Sequence, residues 1–539
     1  MIVVDQLRYD YLDRFGDLFV DNGFARLMRN GAFWTDANYQ HTPTYTAPGH
    51  ATLMTGAWPS ETGIIANEWF DRETGASITS VSDSNTRLLD GNGQGNEKSA
   101  SPRRLLASTL GDELRVATND RSKVIGISIK DRSAILPAGR RANAAYWWNS
   151  QTGKFVSSDY YLRELPDWVV KFNDARRGND YFGARWERLL PEEEYLKRAG
   201  PDAPLWETIS PDSKDGNTFP HTIAAGSRDF YEGLDYSPFS NDVLLEFTEQ
   251  AIVNEHIGDD ADTDILSVSF SANDYVGHRF GPYSQEVMDI TLRTDRQIAK
   301  LLDFVDSRVG LENTIVVFTA DHGVAPIPEH STSMNLPGAR IQSTDVMKEI
   351  NRAIAARFGT RNNSQNLSAN YVSKYTTGST TGRDAFVNGN LYFNPVALKQ
   401  DGVSREEIER LAGDAALSVP GIVRYFTRTQ LESGEIPAND PIATKVLHGY
   451  YPQRCGDVIV VYQPYNYLID IPITATHGSP YSYDTHVPLI IMGSAFKPGH
   501  YYQSAAPSDI APTLAQVLGI QAPSNSVGRV LSEAMRSTE

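Results

Sequence analysis

The chain has 539 residues, 40% hydrophobic and 10% aromatic, enough to bury a large core and more than one minimal domain needs. Lys and Arg number 49 against 67 Asp and Glu, and the formal charge of −18 excludes a generic nucleic-acid binder while leaving room for a local basic pocket. The single cysteine, Cys455, excludes an intramolecular disulfide and a thiolate metal cluster, and no apolar run reaches the ~20 residues of a membrane-spanning helix.

Taken in order, the chain opens on an apolar strand at Ile2 to Val4 that ends at Asp5. A free terminus rarely sits inside a core strand. An upstream segment carrying a cleaved export signal is therefore expected, which would make the protein periplasmic or secreted. Further strands are predicted at Val124 to Ile129 ending at Lys130, Ile265 to Phe270 ending near Asp274, and Ile315 to Phe318 ending at Asp321. Val458 to Tyr462 and Val487 to Met492 follow, and all of these runs read as parallel strands separated by helical patterns such as Asn241 to His256 and Asp509 to Gly519. The expected fold is α/β, a doubly wound, mostly parallel sheet with helices on both faces and inserted cap regions. Its discontinuous core would comprise residues 1–135, 236–335 and 440–539. Residues 136–235, rich in aromatics, read as an insertion near the site. Residues 336–439 read as a small α+β insertion whose second helix is opened by Ser404 and Glu407, and the polar stretch Asn362 to Asn388 reads as surface loop.

Loops after the carboxyl ends of parallel strands hold the ligand in such sheets, so ionisable groups there can converge. Asp274 and His278 are four apart, on one face if that turn is helical, which is a metal-ligand spacing. Asp321 and His322 directly follow a strand, and Asp5 and His477 add two more candidates. Any one of these alone is better read as a cap or a surface histidine; four sites at strand ends are not. Thr46, in the run Pro43 to His50, sits where a helix begins, with Pro48 in the first turn and Gly56 as its stop. One reading is a plain N-cap. The other is a nucleophile, since a hydroxyl there faces free N–H groups and the positive end of the helix dipole.

These segments resemble the alkaline phosphatase superfamily, with its type I phosphodiesterases and nucleotide pyrophosphatases, and within it the bacterial phosphate-monoesterase branch with a threonine nucleophile. The resemblance runs nearly end to end: VVDQLRYDYL at 3–12, TPTYTAPGHATLMTG at 42–56, GIIANEW at 63–69, SIKDRSAI at 128–135, SANDYVGHRFGP at 271–282, TADHG at 319–323 and HGSPYSYDTHVPLIIMG at 477–493. It implies a catalytic Thr46. It also implies two metal ions, zinc before other divalent metals, one held by Asp274, His278 and His477, the other by Asp5, Asp321, His322 and the Thr46 hydroxyl. Asn67, Lys130 and Arg132 would bind the phosphoryl oxygens. His486 is an alternative to His477; the latter is preferred because His477-Gly478 and Tyr483-Asp484 look like the family's His-Gly-Tyr-Asp run split by an insertion.

The implied activity is that of an alkaline phosphatase, a phosphoric monoester hydrolase of broad substrate range working through a phosphothreonine. Small phosphate monoesters are the expected partners and a monomer the expected state. A nucleotide pyrophosphatase or phosphodiesterase on the same scaffold, a phosphoryl transferase, and a metal-binding module without catalysis are the rival readings.

Overall fold

β-Branched and aromatic residues fit a pleated surface buried on both faces, and the apolar runs of this chain become the strands of one large sheet. The computed structural model describes all residues except 92–93, 203, 205, 208–215, 224–229, 360–370, 378–379, 438, 471–472 and 537–539. The sheet has eleven strands: β1 (Ile2–Val4), β2 (Ala32–Trp34), β3 (Ser82–Leu89), β4 (Gln94–Ala100), β5 (Val124–Ser128), β6 (Ala144–Asn149), β7 (Lys154–Ser158), β8 (Ile265–Phe270), β9 (Val316–Thr319), β10 (Leu489–Met492) and β11 (Gly499–Tyr501). Their spatial order is β11-β2-β10-β9-β1-β8-β5-β6-β7-β3-β4. At its centre β9, β1, β8, β5 and β6 run parallel.

Side chains alternate between the faces, as a strand requires. Ile2, Val4, Phe318 and Ile490 join one core, with Val268, Ile125 and Ile127, whereas Val3, Val317, Leu489 and Ile491 join another on the opposite face. Helices cover both faces. Among the described residues no helix is long and apolar enough to cross a membrane.

The structure differs from the sequence reading in four places. Val458–Tyr462 is not in the main sheet; it pairs antiparallel with Ile422–Thr427 and Asn390–Leu391 in a separate four-stranded sheet. That sheet shares a core with the helices Ser343–Phe358 and Arg405–Leu417. β10 lies antiparallel to β9. Tyr146, Trp147 and Trp148, read as part of an irregular insertion, lie on β6 inside the main sheet. Within the stretch read as surface loop, Lys374–Thr377 and Thr380–Asp384 pair as a hairpin, and residues 362–370 and 378–379 lie outside the described residues. This hairpin continues the sheet formed by Glu68–Asp71 and Ala76–Thr79.

One buried acid outside the site gives a stability signature. Asp235 is 2% exposed, accepts a hydrogen bond from the Ser150 hydroxyl, and is pushed up to about 8 by burial. The folded chain thus holds this proton far more tightly than the unfolded chain. The contribution is full below about pH 4 and is lost as pH rises to about 8. We expect calorimetric melting temperatures of the parent to fall across that window, and Asp235→Asn, neutral throughout, to flatten that fall. Parallel profiles for the two proteins would refute the assignment.

Candidate active site

The carboxyl ends of four neighbouring parallel strands meet on one edge of the sheet. β9 delivers Asp321 and His322, β1 delivers Asp5, β8 leads into helix Ala272–Phe280 with Asp274 and His278, and β5 delivers Lys130 and Arg132. His477 arrives on the loop ahead of Ser482–Thr485. Ligand-type atoms of Asp5, Asp321 and His322 lie within 4.8 Å of one another, as do those of Asp274, His322 and His477. His278 Nε2 is 3.3 Å from Asp274 Oδ1, and His477 Nε2 is 3.6 Å from the same oxygen. His322 Nε2 is 3.5 Å from Asp5 Oδ1 and 3.4 Å from Asp321 Oδ2, which places His322 at the junction of the two groups. His486 is elsewhere: its Nε2 contacts the Thr35 carbonyl at 2.9 Å and its ring stacks on Tyr9.

The donor chemistry suits divalent cations. Each of the three histidines has Nδ1 on a backbone carbonyl, His278 on Ala475, His322 on Gly323 and His477 on Thr44, at 2.7 to 2.8 Å. That partner takes the ring proton and leaves the Nε2 lone pair facing the carboxylates, the tautomer a metal ligand needs. Burial, with the neighbouring His322 and His278 rings, holds His477 well below the ordinary imidazole value, and burial also lowers His322. Asp5, Asp274 and Asp321 are 3% exposed or less. Among the described residues Asp5 Oδ1 has no hydrogen-bond partner, a costly state that a bound cation would relieve. Burial and the Asp321 carboxylate push Asp5 well above the usual carboxylate range. Burial also acts to raise Asp274, but His278 and Lys130 outweigh it and hold Asp274 well below that range.

Thr46 is the first residue of helix Thr46–Thr55, whose N-cap is Tyr45 with no side-chain capping bond. Its hydroxyl is therefore not spent as a cap and lies 3.4 Å from His322 Nε2. Not all of the N–H groups expected to be free around it are so: Ala47 N–H donates to Asn67 Oδ1 at 2.8 Å, and Pro48 has none. With its oxygen engaged, Asn67 has its amide NH₂ to offer a ligand. A cavity of about 290 Å³ opens here, lined by Tyr45, Asn67, Thr79, Asp131, Arg132 and Asn388. Lys130 lies among the carboxylates. Its Nζ sits 2.8 Å from Asp5 Oδ2 and 2.6 Å from Asp274 Oδ2, between the two carboxylates. Arg132 Nη1 lies 3.8 Å from Asp131 Oδ1, and among the described residues its Nε has no hydrogen-bond partner.

Sequence reasoning passed over His50. It is fully buried, with Nδ1 2.9 Å from the Thr46 carbonyl and 3.1 Å from Asp321 Oδ2, and Nε2 2.9 Å from the Ser269 hydroxyl. It thereby ties the start of the helix to β8 and to the Asp321 turn. The available signal was a histidine four residues after Thr46 in a helix with no other ionisable residue. Gly49 makes the close approach possible, since a Cβ there would meet the Asp321 carbonyl oxygen at 2.2 Å.

Residues 1–375 match the family model for type I phosphodiesterase / nucleotide pyrophosphatase. The chain is 35% identical to alkaline phosphatase PhoV of Synechococcus elongatus, over 99% of this chain and 92% of that protein. It is 34% identical to alkaline phosphatase PafA of Elizabethkingia meningoseptica, over 99% and 93%. The crystal structure of wild-type PafA superposes with a TM-score of 0.89 at 33% identity, covering 99% of this chain and 98% of that one. With its matching fold and the acidic, histidine-rich centre at the sheet edge, the chain belongs to the type I phosphodiesterase / nucleotide pyrophosphatase family of phosphoric ester hydrolases, within the alkaline phosphatase superfamily.

Proposed function

We propose that the protein is a metal-dependent phosphatase that hydrolyses small phosphate monoesters through a phosphothreonine at Thr46. The observation that carries this reading is a buried threonine hydroxyl at a helix start that is not spent as a cap and lies against a cluster of three carboxylates and three histidines, while its neighbour Tyr45 lines the Asn67–Arg132 cavity. Asp274, His278 and His477 would hold one divalent ion and Asp5, Asp321, His322 and Thr46 a second, with zinc favoured by the imidazole donors; such ions supply Lewis acidity and lower the cost of the alkoxide and of the leaving oxygen. Thr46 Oγ bonds to phosphorus as the ester P–O bond breaks, and water then displaces Thr46 and frees phosphate. The helix dipole and the Asn67 amide favour negative charge at this position. The Arg132 guanidinium meets a non-bridging oxygen, and Lys130 would serve the phosphoryl group from between Asp5 and Asp274.

A monoester dianion fits this cationic edge, whereas a diester sets a neutral organic group against Arg132. The parent is expected to turn over an aryl phosphate monoester faster than the matching diester. Arg132→Ala should lose about a hundred-fold or more in kcat/KM on the monoester and about ten-fold or less on the diester. Initial rates with both substrates decide it. Equal losses would make Arg132 a purely structural residue, and a parent faster on diesters would reassign the protein as a phosphodiesterase.

A further inference from the structure

Gln6 follows Asp5 at the end of β1 and takes part in neither proposed ligand set. Leu7 N–H donates to the Val4 carbonyl, so Val4 to Leu7 form a tight turn with Gln6 at its third position. Gln6 has φ +66°, the left-handed region in which a third turn residue is ordinarily Gly or Asn. A long side chain held in that conformation carries backbone strain, and such strain persists where the surroundings need the side chain. Those surroundings are the two halves of the metal centre. The Gln6 backbone N–H donates to Asp321 Oδ1 at 3.1 Å, and its Nε2 donates to Asp274 Oδ1 at 2.6 Å. The Asp274 backbone carbonyl, 3.5 Å from the same nitrogen, fixes the amide orientation, because both neighbours are acceptors. Helix Ala272–Phe280 makes room for the amide with a glycine: a Cβ on Gly277 would lie 1.7 Å from Gln6 Oε1. Gln6 is 3% exposed, so water does not compete for these bonds.

We infer that Gln6 is a positioning residue that clamps Asp274 against Asp321, setting the distance between the two ion positions from a single turn of β1. Asp274 and Asp321 follow different strands and belong to different proposed ions, and Gln6 binds a carboxylate oxygen of each. Its amide also orients Asp274 Oδ1, the oxygen nearest His278 and His477. The inference rests on the two-ion reading, and its test reads metal affinity as well as activity. Gln6→Gly keeps the backbone N–H to Asp321, relieves the positive φ and deletes the amide. Gln6→Glu keeps the length but turns the donor facing Asp274 Oδ1 into an acceptor. Zinc affinity of chelator-stripped protein is measured by competition with a chromophoric chelator, alongside the melting temperature of the stripped protein. The expected result for Gln6→Gly is a stripped protein as stable as the parent or more so, with zinc binding weakened about 10- to 100-fold. Gln6→Glu should weaken it further. Parent-like zinc affinity in both variants, with Gln6→Gly melting lower than the parent, would make Gln6 an ordinary fold contact and overturn the inference alone. A parent protein that takes up no zinc would overturn the two-ion reading itself, and the inference with it.

Discussion

Thr46→Ala is expected to reduce turnover of an aryl phosphate by roughly four orders of magnitude or more, the scale seen when a covalent nucleophile is deleted. The fold should not notice the change. Thr46 occupies the first position of its helix without capping it, and alanine is a good helix former there. The remaining proposed ligands, Asp5, Asp321 and His322, stay in place, so elemental analysis of the variant should find the parent's zinc content. Acid quenching of the parent during turnover, followed by peptide mass spectrometry, should place phosphate on Thr46. Thr46→Ser, which keeps a hydroxyl, should retain far more activity than the alanine variant. An alanine variant with parental activity would end the nucleophile assignment.

The second large effect separates two histidines nine residues apart. His477 turns Nε2 toward Asp274 and is 5% exposed, whereas His486 is tied to Thr35 and Tyr9. His477→Ala should lose about one zinc per chain and roughly a hundred-fold or more in kcat. His486→Ala should keep both ions and most of the activity, with a modest loss of stability from the missing stack and hydrogen bond. Chelation should silence the parent, and zinc should restore it better than magnesium, because imidazole donors favour the softer ion. A zinc-free active protein would sink the two-ion reading, and equal metal loss in both variants would reopen the choice of ligand.

Much of this site can be read in the sequence because of how a parallel sheet is built. Strands buried on both faces appear as short, continuous apolar runs, and Asp5, Lys130, Asp274 and Asp321 stand just beyond four of them. The helix at Thr46 is legible from Pro48 and Gly56 for equally local reasons. What an apolar run does not state is which sheet it joins or in which direction. Val458–Tyr462 looks like a core strand yet pairs within the smaller sheet, and β10 runs against its neighbour. The hairpin within residues 374–384 is polar in composition and so resembles a loop. Lys130 was legible as a cation at a strand end, but its place between two carboxylates depends on Asp274, 144 residues away. The same holds for His50 and Gln6, whose partners Ser269 and Asp274 lie 219 and 268 residues distant. The engagement of the Ala47 N–H by Asn67 also needs the tertiary structure, because the capping group comes from another segment.

The three-residue strand β1 lies between β9 and β8, and the residues gathered around it run from Asp5 near the start of the chain to His477 near its end. A nascent or clipped polypeptide therefore cannot complete the centre: one group lacks Asp321 and His322 until β9 has docked, and the other lacks His477 until most of the molecule has been made. A full complement of cations would act as a seal on a nearly assembled molecule, tightening only a chain in which Asp5 and His477 have already come together, and metal uptake followed during refolding would time a late step of maturation rather than the first.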